Sequence, residues 1–173
     1  MLLVAVVSRR PVALDWARER LSAQFGSVAV ASDAFEFTET AYYTPTMGTD
    51  LKKQFLAFEP LIDPIALAAI KRQTNGWEAE YAALGRHEEV RPLNLDPGYI
   101  TAAKLVLAST KDHAHRIYLR DGIYAEVTLS YRHRQWQPHE WTYPDYRRDD
   151  FHEFFSRCRQ VVLNCGARGD EVK

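Results

Sequence analysis

Residues 94–147 read NLDPGYITAAKLVLASTKDHAHRIYLRDGIYAEVTLSYRHRQWQPHEWTYPDYR and hold most of the chemically distinctive side chains of this 173-residue chain. Five features follow one another closely in this stretch: turn formers, a lysine-bearing apolar stretch, a Ser-Thr-Lys-Asp cluster, two alternating strands and an aromatic-rich loop. Binding and catalytic side chains occur disproportionately on loops between regular elements. This concentration of charged and aromatic groups at loop junctions indicates a functional site.

Residues 116–129 predict a β-hairpin, because apolar and polar side chains alternate on both sides of Asp121-Gly122. A three-residue loop, residues 120–122, would keep the apolar side chains of the two strands on one face. The expected pairs are Leu119 with Ile123, Ile117 with Ala125, Tyr118 with Tyr124, and Arg116 with Glu126. In open solvent the charged pair would contribute about 0–1 kcal/mol. On the floor of a cleft, Glu126→Gln should change ligand binding far more than stability.

The rest of the chain predicts an α+β fold. Strands are expected at residues 2–7, 27–37, 54–59 and 90–95, and helices at residues 11–25, 64–84 and 151–165. The strand at 90–95 is expected to end in a turn at residues 96–98, and residues 101–109 to form a short helix capped by Thr101. We therefore predict a ferredoxin-like β-α-β-β-α-β core extended by a short helix, an antiparallel β-meander and a C-terminal helix. Residues 1–165 would form a single domain and residues 166–173 a flexible tail.

Composition excludes several classes of function. A formal net charge of -1 and a pI near 6.6 give no global attraction to nucleic acid or to an anionic membrane. The N-terminus lacks the order of charge and apolar residues of a secretory signal, and no apolar run reaches membrane-spanning length. Cys158 and Cys165 lie two turns apart on the last predicted helix, too far for a disulfide, and are expected to be buried, reduced thiols. A cytoplasmic location follows as the default.

Several strings of residues resemble an uncharacterised bacterial family, domain of unknown function 4416, over nearly the whole chain. The strings are Tyr42-Tyr43 with Met47-Gly48, Lys71 with Thr74-Asn75 and Glu78, Asn94 with Asp96-Pro97-Gly98-Tyr99, Lys104, residues 115–119, residues 122–129 and residues 141–146. In the family an acidic residue usually precedes the methionine-glycine pair, where this chain has Thr46. The resemblance implies no activity.

Three sets of residues in the chain are candidates for one site. Lys71, Asn75 and Glu78 share one helix face, which is either a solvated stripe or part of a binding wall. The Ser109-Thr110-Lys111 cluster lacks the glycines of a phosphate-wrapping loop, but with Lys104 and Arg116 it would form a positive cluster suited to an anion. The aromatic run at residues 141–146 is either a clamp for the last helix or a ligand platform.

Metal coordination has little support. His113 and His115 have strand spacing, but the hairpin register puts Glu126 on the opposite face from His115. A carboxylate site for Mg²⁺ that uses Asp96, Glu126 or Asp145 is chemically possible but has no supporting spacing. The sequence therefore predicts no metal, and it indicates no particular cofactor.

The leading hypothesis is a polar cleft for a small anionic molecule, a nucleotide or another phosphorylated metabolite. In an enzyme, Glu126 or Asp96 would be the acid-base group. The ligand-binding residues would be Lys71, Asn75, Glu78, Lys104, Lys111, Arg116, Tyr143 and Asp145. The alternative is a non-catalytic interaction module that binds a protein or RNA partner through the aromatic loop and the sheet face. One concave pocket would favour the ligand, and a flat or scattered display would favour the partner.

Overall fold

A computed structural model describes residues 1–40 and 42–169, and the side chains as far as Cys165. The strands are β1 (Leu2–Ser8), β2 (Val28–Ala31), β3 (Phe35–Glu36), β4 (Lys52–Phe58), β5 (Asn94–Ile100), β6 (Lys104–Ser109), β7 (Ile117–Arg120), β8 (Ile123–Arg132) and β9 (Gln135–Pro138). The helices are α1 (Pro11–Phe25), α2 (Thr44–Met47), α3 (Leu67–Ala83) and α4 (Asp149–Gly169), with 3₁₀ turns at Pro64–Ala66 and Pro144–Arg147.

All nine strands join one antiparallel sheet with helices on both faces. The order is β2-β4-β1-β5-β6-β8-β7, with β3 on β4 and β9 on β8. The apolar run of β1 is buried on both sides: Leu2 and Val4 pack with α1 and α3, whereas Leu3 and Ala5 pack with α4. The α+β class is confirmed. The ferredoxin-like topology stays a prediction, since the observed unit is a single larger sheet.

The predicted turn at Asp96-Pro97-Gly98 is wrong, because these residues lie inside β5. Pro97 is paired with Val4 of β1, and Gly98 is paired with Leu107 of β6. A Cβ on Gly98 would lie 2.3 Å from the backbone oxygen of Val106, so only glycine permits this approach of the two strands. Local turn propensity is overridden here by pairing with strands on both sides.

The predicted short helix at residues 101–109 is also wrong, because residues 104–109 form strand β6. Their apolar side chains have a period of two: Leu105 and Leu107 face the α4 side, and Val106 and Ala108 face the α3 side. A strand buried on both faces shows a continuous apolar run, which periodicity alone does not distinguish from a buried helix.

The hairpin has the predicted pairs at its centre and a different loop. Ile117 is opposite Ala125 and Tyr118 is opposite Tyr124, as expected. Arg120 is opposite Ile123, so the loop has two residues, Asp121 and Gly122, both with positive φ, and Leu119 forms a bulge. Strict alternation with these central pairs predicts a three-residue loop. Because Leu119 is an extra, unpaired residue, the same central pairs are compatible with a two-residue turn. β7 is a sheet edge, and its Ile117 is 74% exposed although it was assigned to an apolar face.

The two long helices follow their predicted spans closely. Helix α3 is continuous through Gly76, and α4 extends to Gly169, beyond the expected start of the tail. The remainder of the predicted tail, residues 170–173, lies outside the described residues. Across the part of the chain that the structure describes, no helix is long and apolar enough to cross a membrane.

The two cysteines of α4 are expected to react at very different rates, which corrects the expectation that both are buried. Cys158 is fully buried, and burial raises the pKa of its thiol to about 12, whereas Cys165 is exposed. Thiolate is the reactive form, so Cys158 should resist modification at pH 8 while Cys165 reacts readily. Timed labelling with Ellman's reagent should show one fast thiol, and two after unfolding. Two fast thiols in the folded protein would contradict this.

Candidate functional site

Strands β5 and β6 separate after only three residue pairs, and the opening between them forms the candidate site. The paired residues are Gly98–Ile100 and Leu105–Leu107. Pro97 has no N–H with which to extend this ladder. At Leu95, two side chains of α3 bond the backbone groups that a neighbouring strand would otherwise bond. Lys71 Nζ donates to the Leu95 carbonyl oxygen at 2.8 Å, and the Leu95 N–H donates to Glu78 Oε1 at 2.7 Å. The solvated-stripe interpretation of this helix face is therefore wrong for Lys71 and Glu78, which are both buried.

Asp96 is held in a network of hydrogen bonds along the same wall. Lys71 donates to its Oδ1 at 3.0 Å, and Asn94 Nδ2 donates to its Oδ2 at 2.7 Å. Burial alone would raise the pKa of Asp96, but the Lys71 ammonium and the Asn94 hydrogen bond outweigh it, so the pKa is lowered. Asp96 is thus an ionised carboxylate with both oxygens engaged, an arrangement that favours holding its neighbours over exchanging protons.

Glu78 completes this network from the helix. Arg91 donates to its Oε2 at 2.7 Å and also donates to Asn94 Oδ1. Burial raises the pKa of Glu78, and the charges of Lys71 and Arg91 oppose that rise. Asn75, the third residue of the predicted face, lines the cavity and is half-buried.

Arg116 and Glu126 form a buried ion pair in the opposite wall. Arg116 Nε donates to Glu126 Oε2 at 2.7 Å, and the two side chains are 2% and 1% exposed. Glu126 also contacts His115 Nε2 at 3.1 Å and accepts from Thr128 at 3.2 Å. The remaining guanidinium nitrogens of Arg116 donate to Ser109, the Lys111 carbonyl and Tyr143. The pair is therefore not a surface ion pair but the centre of a polar network.

A second buried pair, Lys53 with Asp145, was only half predicted. Lys53 Nζ donates to Asp145 Oδ2, and both side chains are 5% exposed. The ammonium also lies 4.0 Å from the Phe37 ring centroid and 5.0 Å from that of Tyr146. The sequence did contain a signal for Lys53, since it lies two residues before the core residue Phe55 and therefore shares its strand face.

These groups line one cavity of about 590 Å³. Nine of the ten predicted site residues line it: Lys71, Asn75, Glu78, Asp96, Lys111, Arg116, Glu126, Tyr143 and Asp145. Lys104 does not, because it lies at the other end of β6, paired with Ser130. Lining residues that sequence reasoning did not select include Tyr43, Lys53, Arg91, Asn94 and Tyr146.

Charges of the two signs are balanced in the lining. The cations are Lys53, Lys71, Arg91, Lys111 and Arg116, and the carboxylates are Glu39, Glu78, Asp96, Glu126 and Asp145. Four cations each contact a carboxylate of the lining, and Glu39 is bound by Arg148 at 2.7 Å. Among the described residues, Lys111 is the lining cation with no carboxylate within 4.0 Å. The cavity is therefore polar without being strongly positive.

Lys111 is exposed at the rim of the cavity. Its ammonium lies 4.0 Å from the ring centroid of Tyr42, and the proximity of this ammonium lowers the pKa of that phenol. Thr110, His113 and the half-exposed Tyr143 line the same region. An ammonium beside hydroxyl donors is suited to an anionic oxygen group.

Trp141 and Thr142, at the start of the aromatic loop, are bonded to strand β8. Trp141 is stacked between His115 and His139, with ring centroids 5.2 and 4.8 Å away, and its Nε1 donates to the Val127 carbonyl at 3.0 Å. Thr142 donates to the Thr128 carbonyl at 2.6 Å. Tyr143 and Asp145 of this loop reach the cavity instead.

No group of three or more His, Cys, Asp or Glu side chains suited to holding a metal ion occurs among residues 1–40 and 42–169. His115 does contact Glu126, although the sequence analysis put them on opposite faces. It reaches Glu126 from outside β7, since that strand begins only at Ile117.

Comparison with known proteins identifies the family of this chain. Residues 1–161 match the family model described as Domain of unknown function (DUF4416), so the chain belongs to that family, as the sequence resemblance predicted. Neither the curated proteins nor the solved structures gave a match to this chain.

Proposed function

We propose that the cavity binds a small phosphorylated metabolite, with the phosphate at Lys111 on the rim. The observation that carries this proposal is convergence: residues from β5, β6, β8, α3 and the aromatic loop line one concave space of about 590 Å³. Binding sites for small molecules commonly enclose about 300–1,000 Å³. A concave site of this kind supports the ligand hypothesis over the interaction-module hypothesis.

The buried ion pairs also support a functional cavity. Removing two charges from water costs several kcal/mol per ion, and apolar replacements of equal volume are often as stable or more so. The Lys53–Asp145 and Arg116–Glu126 pairs nevertheless line the same space. Charged groups retained at such a cost are concentrated at functional sites.

The charge balance narrows the ligand class. A polyanion such as a triphosphate or nucleic acid would meet five carboxylates as well as five cations. A single phosphate suits Lys111, which has no carboxylate within 4.0 Å among the described residues, and the paired charges suit hydroxyl or amide groups elsewhere on the ligand. The proposal therefore favours a sugar phosphate or nucleoside monophosphate and disfavours RNA.

Two further parts of the proposal rest on the sequence and the topology. A cytoplasmic location agrees with two cysteines that are predicted to stay reduced. A ferredoxin-like core agrees with the order β2-β4-β1-β5 and with α1 and α3 on the same face of those strands.

Lys111→Ala is the direct test, with Lys104→Ala as the matched control. A hydrogen bond to a charged group contributes about 1.5–3 kcal/mol, so Lys111→Ala should weaken binding by about tenfold to a hundredfold. Lys104→Ala removes the lysine at the start of β6, outside the cavity, and should leave binding unchanged. Calorimetry with ribose 5-phosphate, glucose 6-phosphate and adenosine monophosphate measures both, after a thermal-shift screen in which ligand at 100 times Kd stabilises by about 2.7 kcal/mol.

Equal losses in the two variants would contradict the assignment of the phosphate to Lys111. Failure of every phosphorylated probe to stabilise the wild-type protein would reject the proposed function itself.

A further inference from the structure

The inner end of the cavity contains a phenol that makes no hydrogen bond with the described residues. Tyr146 is 3% exposed, and its ring packs 5.9 Å from Phe55 and 6.0 Å from Phe155. Every fully buried side-chain oxygen or nitrogen of the described residues has a hydrogen-bond partner. The Tyr146 hydroxyl bonds to no described residue, so its oxygen is not one of these fully buried atoms. The hydroxyl oxygen must therefore open onto the cavity that its residue lines.

Tyr43 presents a second phenol to the same space. Its ring packs 5.7 Å from Phe37, and its hydroxyl likewise has no hydrogen bond to a described residue. Burial raises the pKa of both phenols, and Asp145 and Asp96 add to the rise for Tyr146. Both groups are thus neutral O–H donors at neutral pH.

The Lys53–Asp145 pair supplies an acceptor beside these donors. Asp145 uses Oδ2 for the Lys53 ammonium, and none of the described donors bonds to its Oδ1. An anion placed here would lie close to the carboxylates of Asp145 and Asp96, whose charges already act on Tyr146. An alcohol fits better, because it can donate to a carboxylate oxygen and accept from a phenol at once.

We propose, on the premise that the cavity binds a phosphorylated metabolite, that its inner end is a subsite for sugar hydroxyl groups. Tyr146 and Tyr43 donate to these hydroxyls and Asp145 Oδ1 accepts from them, while the phosphate stays outside at Lys111. The ligand is then a sugar phosphate that enters with its hydroxyl groups first. A site that hydrogen-bonds a ligand hydroxyl rejects the analogue that lacks it, because its own buried polar groups are left unpaired.

Calorimetry with two probes tests this orientation. Ribose 5-phosphate carries hydroxyl groups and a phosphate, and n-pentyl phosphate carries the phosphate on a five-carbon chain without hydroxyls. The wild-type protein should bind ribose 5-phosphate at least tenfold more tightly. Tyr146→Phe keeps the packed ring and should reduce that preference to less than threefold, without changing the affinity for pentyl phosphate. Lys111→Ala should weaken both probes by the same factor.

Tyr43→Phe serves as a second variant with the same expected loss of preference, and Tyr118→Phe, on the exposed edge strand, as the unaffected control. A wild-type protein that binds both probes within threefold overturns the subsite and leaves the proposed function standing. Equal weakening of both probes by Tyr146→Phe, or no change in either, also overturns it. Binding of neither probe by the wild-type protein rejects the proposed function and the subsite with it.

Discussion

Replacement of Glu126 by alanine is expected to lower the free energy of unfolding by about 3–5 kcal/mol, because Arg116 would be left as an uncompensated buried charge. The variant also removes the acceptor of the Thr128 hydroxyl and the partner of His115. Urea denaturation of the wild-type and variant proteins measures the difference. For a cleft floor the sequence predicted that Glu126→Gln changes ligand binding far more than stability, whereas Glu126→Ala in this buried pair is expected to lower stability as well.

Glu80→Ala is the control for this prediction. Arg20 and Glu80 are nearly as close, at 2.8 Å, but their side chains are 43% and 48% exposed. An exposed pair contributes about 0–1 kcal/mol, so this variant should be almost silent. The double replacement Arg116→Met with Glu126→Leu should recover much of the stability that Glu126→Ala loses, since it leaves no unpaired charge. A loss below 1 kcal/mol in Glu126→Ala would mean that water reaches Arg116.

Replacement of Phe55 by alanine should cost about 3–5 kcal/mol of unfolding free energy, the range found when a buried phenylalanine is truncated. Phe55 is fully buried in β4, and five aromatic rings lie around it, from Phe151 at 4.8 Å to Phe35 at 6.3 Å. Three of the five, Phe151, Phe154 and Phe155, belong to α4, so the change would loosen the helix from the sheet. Chemical denaturation gives the magnitude.

The same variant should also weaken ribose 5-phosphate binding, because Tyr146 of the cavity packs on Phe55 at 5.9 Å. Ile117→Ala is the comparison: its side chain is 74% exposed, and substitutions at such positions usually stay within about 0.5 kcal/mol. If Phe55→Ala cost no more than Ile117→Ala, the aromatic cluster would not be the attachment of α4.

Sequence patterns predicted the elements whose signal is local. The apolar run of β1 and the helical spacing in α1, α3 and α4 each determine their own structure, and alternation determined the pairs Ile117–Ala125 and Tyr118–Tyr124. Asp96-Pro97-Gly98 was interpreted as a turn because proline and glycine favour turns locally. Its place in β5 depends on Val4 and Leu107, which are distant in sequence and could not enter a local argument.

In the candidate site, too, local patterns predicted some features, and others depend on residues that are distant in sequence. Lys71 and Glu78 were found through helical spacing, but their task of bonding the backbone of Leu95 depends on where β5 and β6 separate. Lys104 was grouped with Lys111 and Arg116 as a positive cluster, and residues 101–109 were expected to form a short helix. In a strand the five residue-to-residue steps from Lys104 to Ser109 span about 17 Å, which carries Lys104 away from the cavity.

The three-residue junction between β5 and β6 has a consequence for motion. It is the only strand-to-strand ladder in the described sheet that connects the β2-β4-β1-β5 part with the β6-β8-β7 part. Successive amides of a strand point to opposite neighbours, and that of Ile100 donates to Met1, so the Tyr99 amide points towards β6. It should therefore exchange with deuterium sooner than the amides of the six-pair ladder between β1 and β4. A molecule bound against Asp96 on one side and Glu126 on the other would connect the two parts of the sheet and slow that exchange. The exchange rate at the junction would then show whether the cavity is occupied, even if the protein catalyses no measurable reaction.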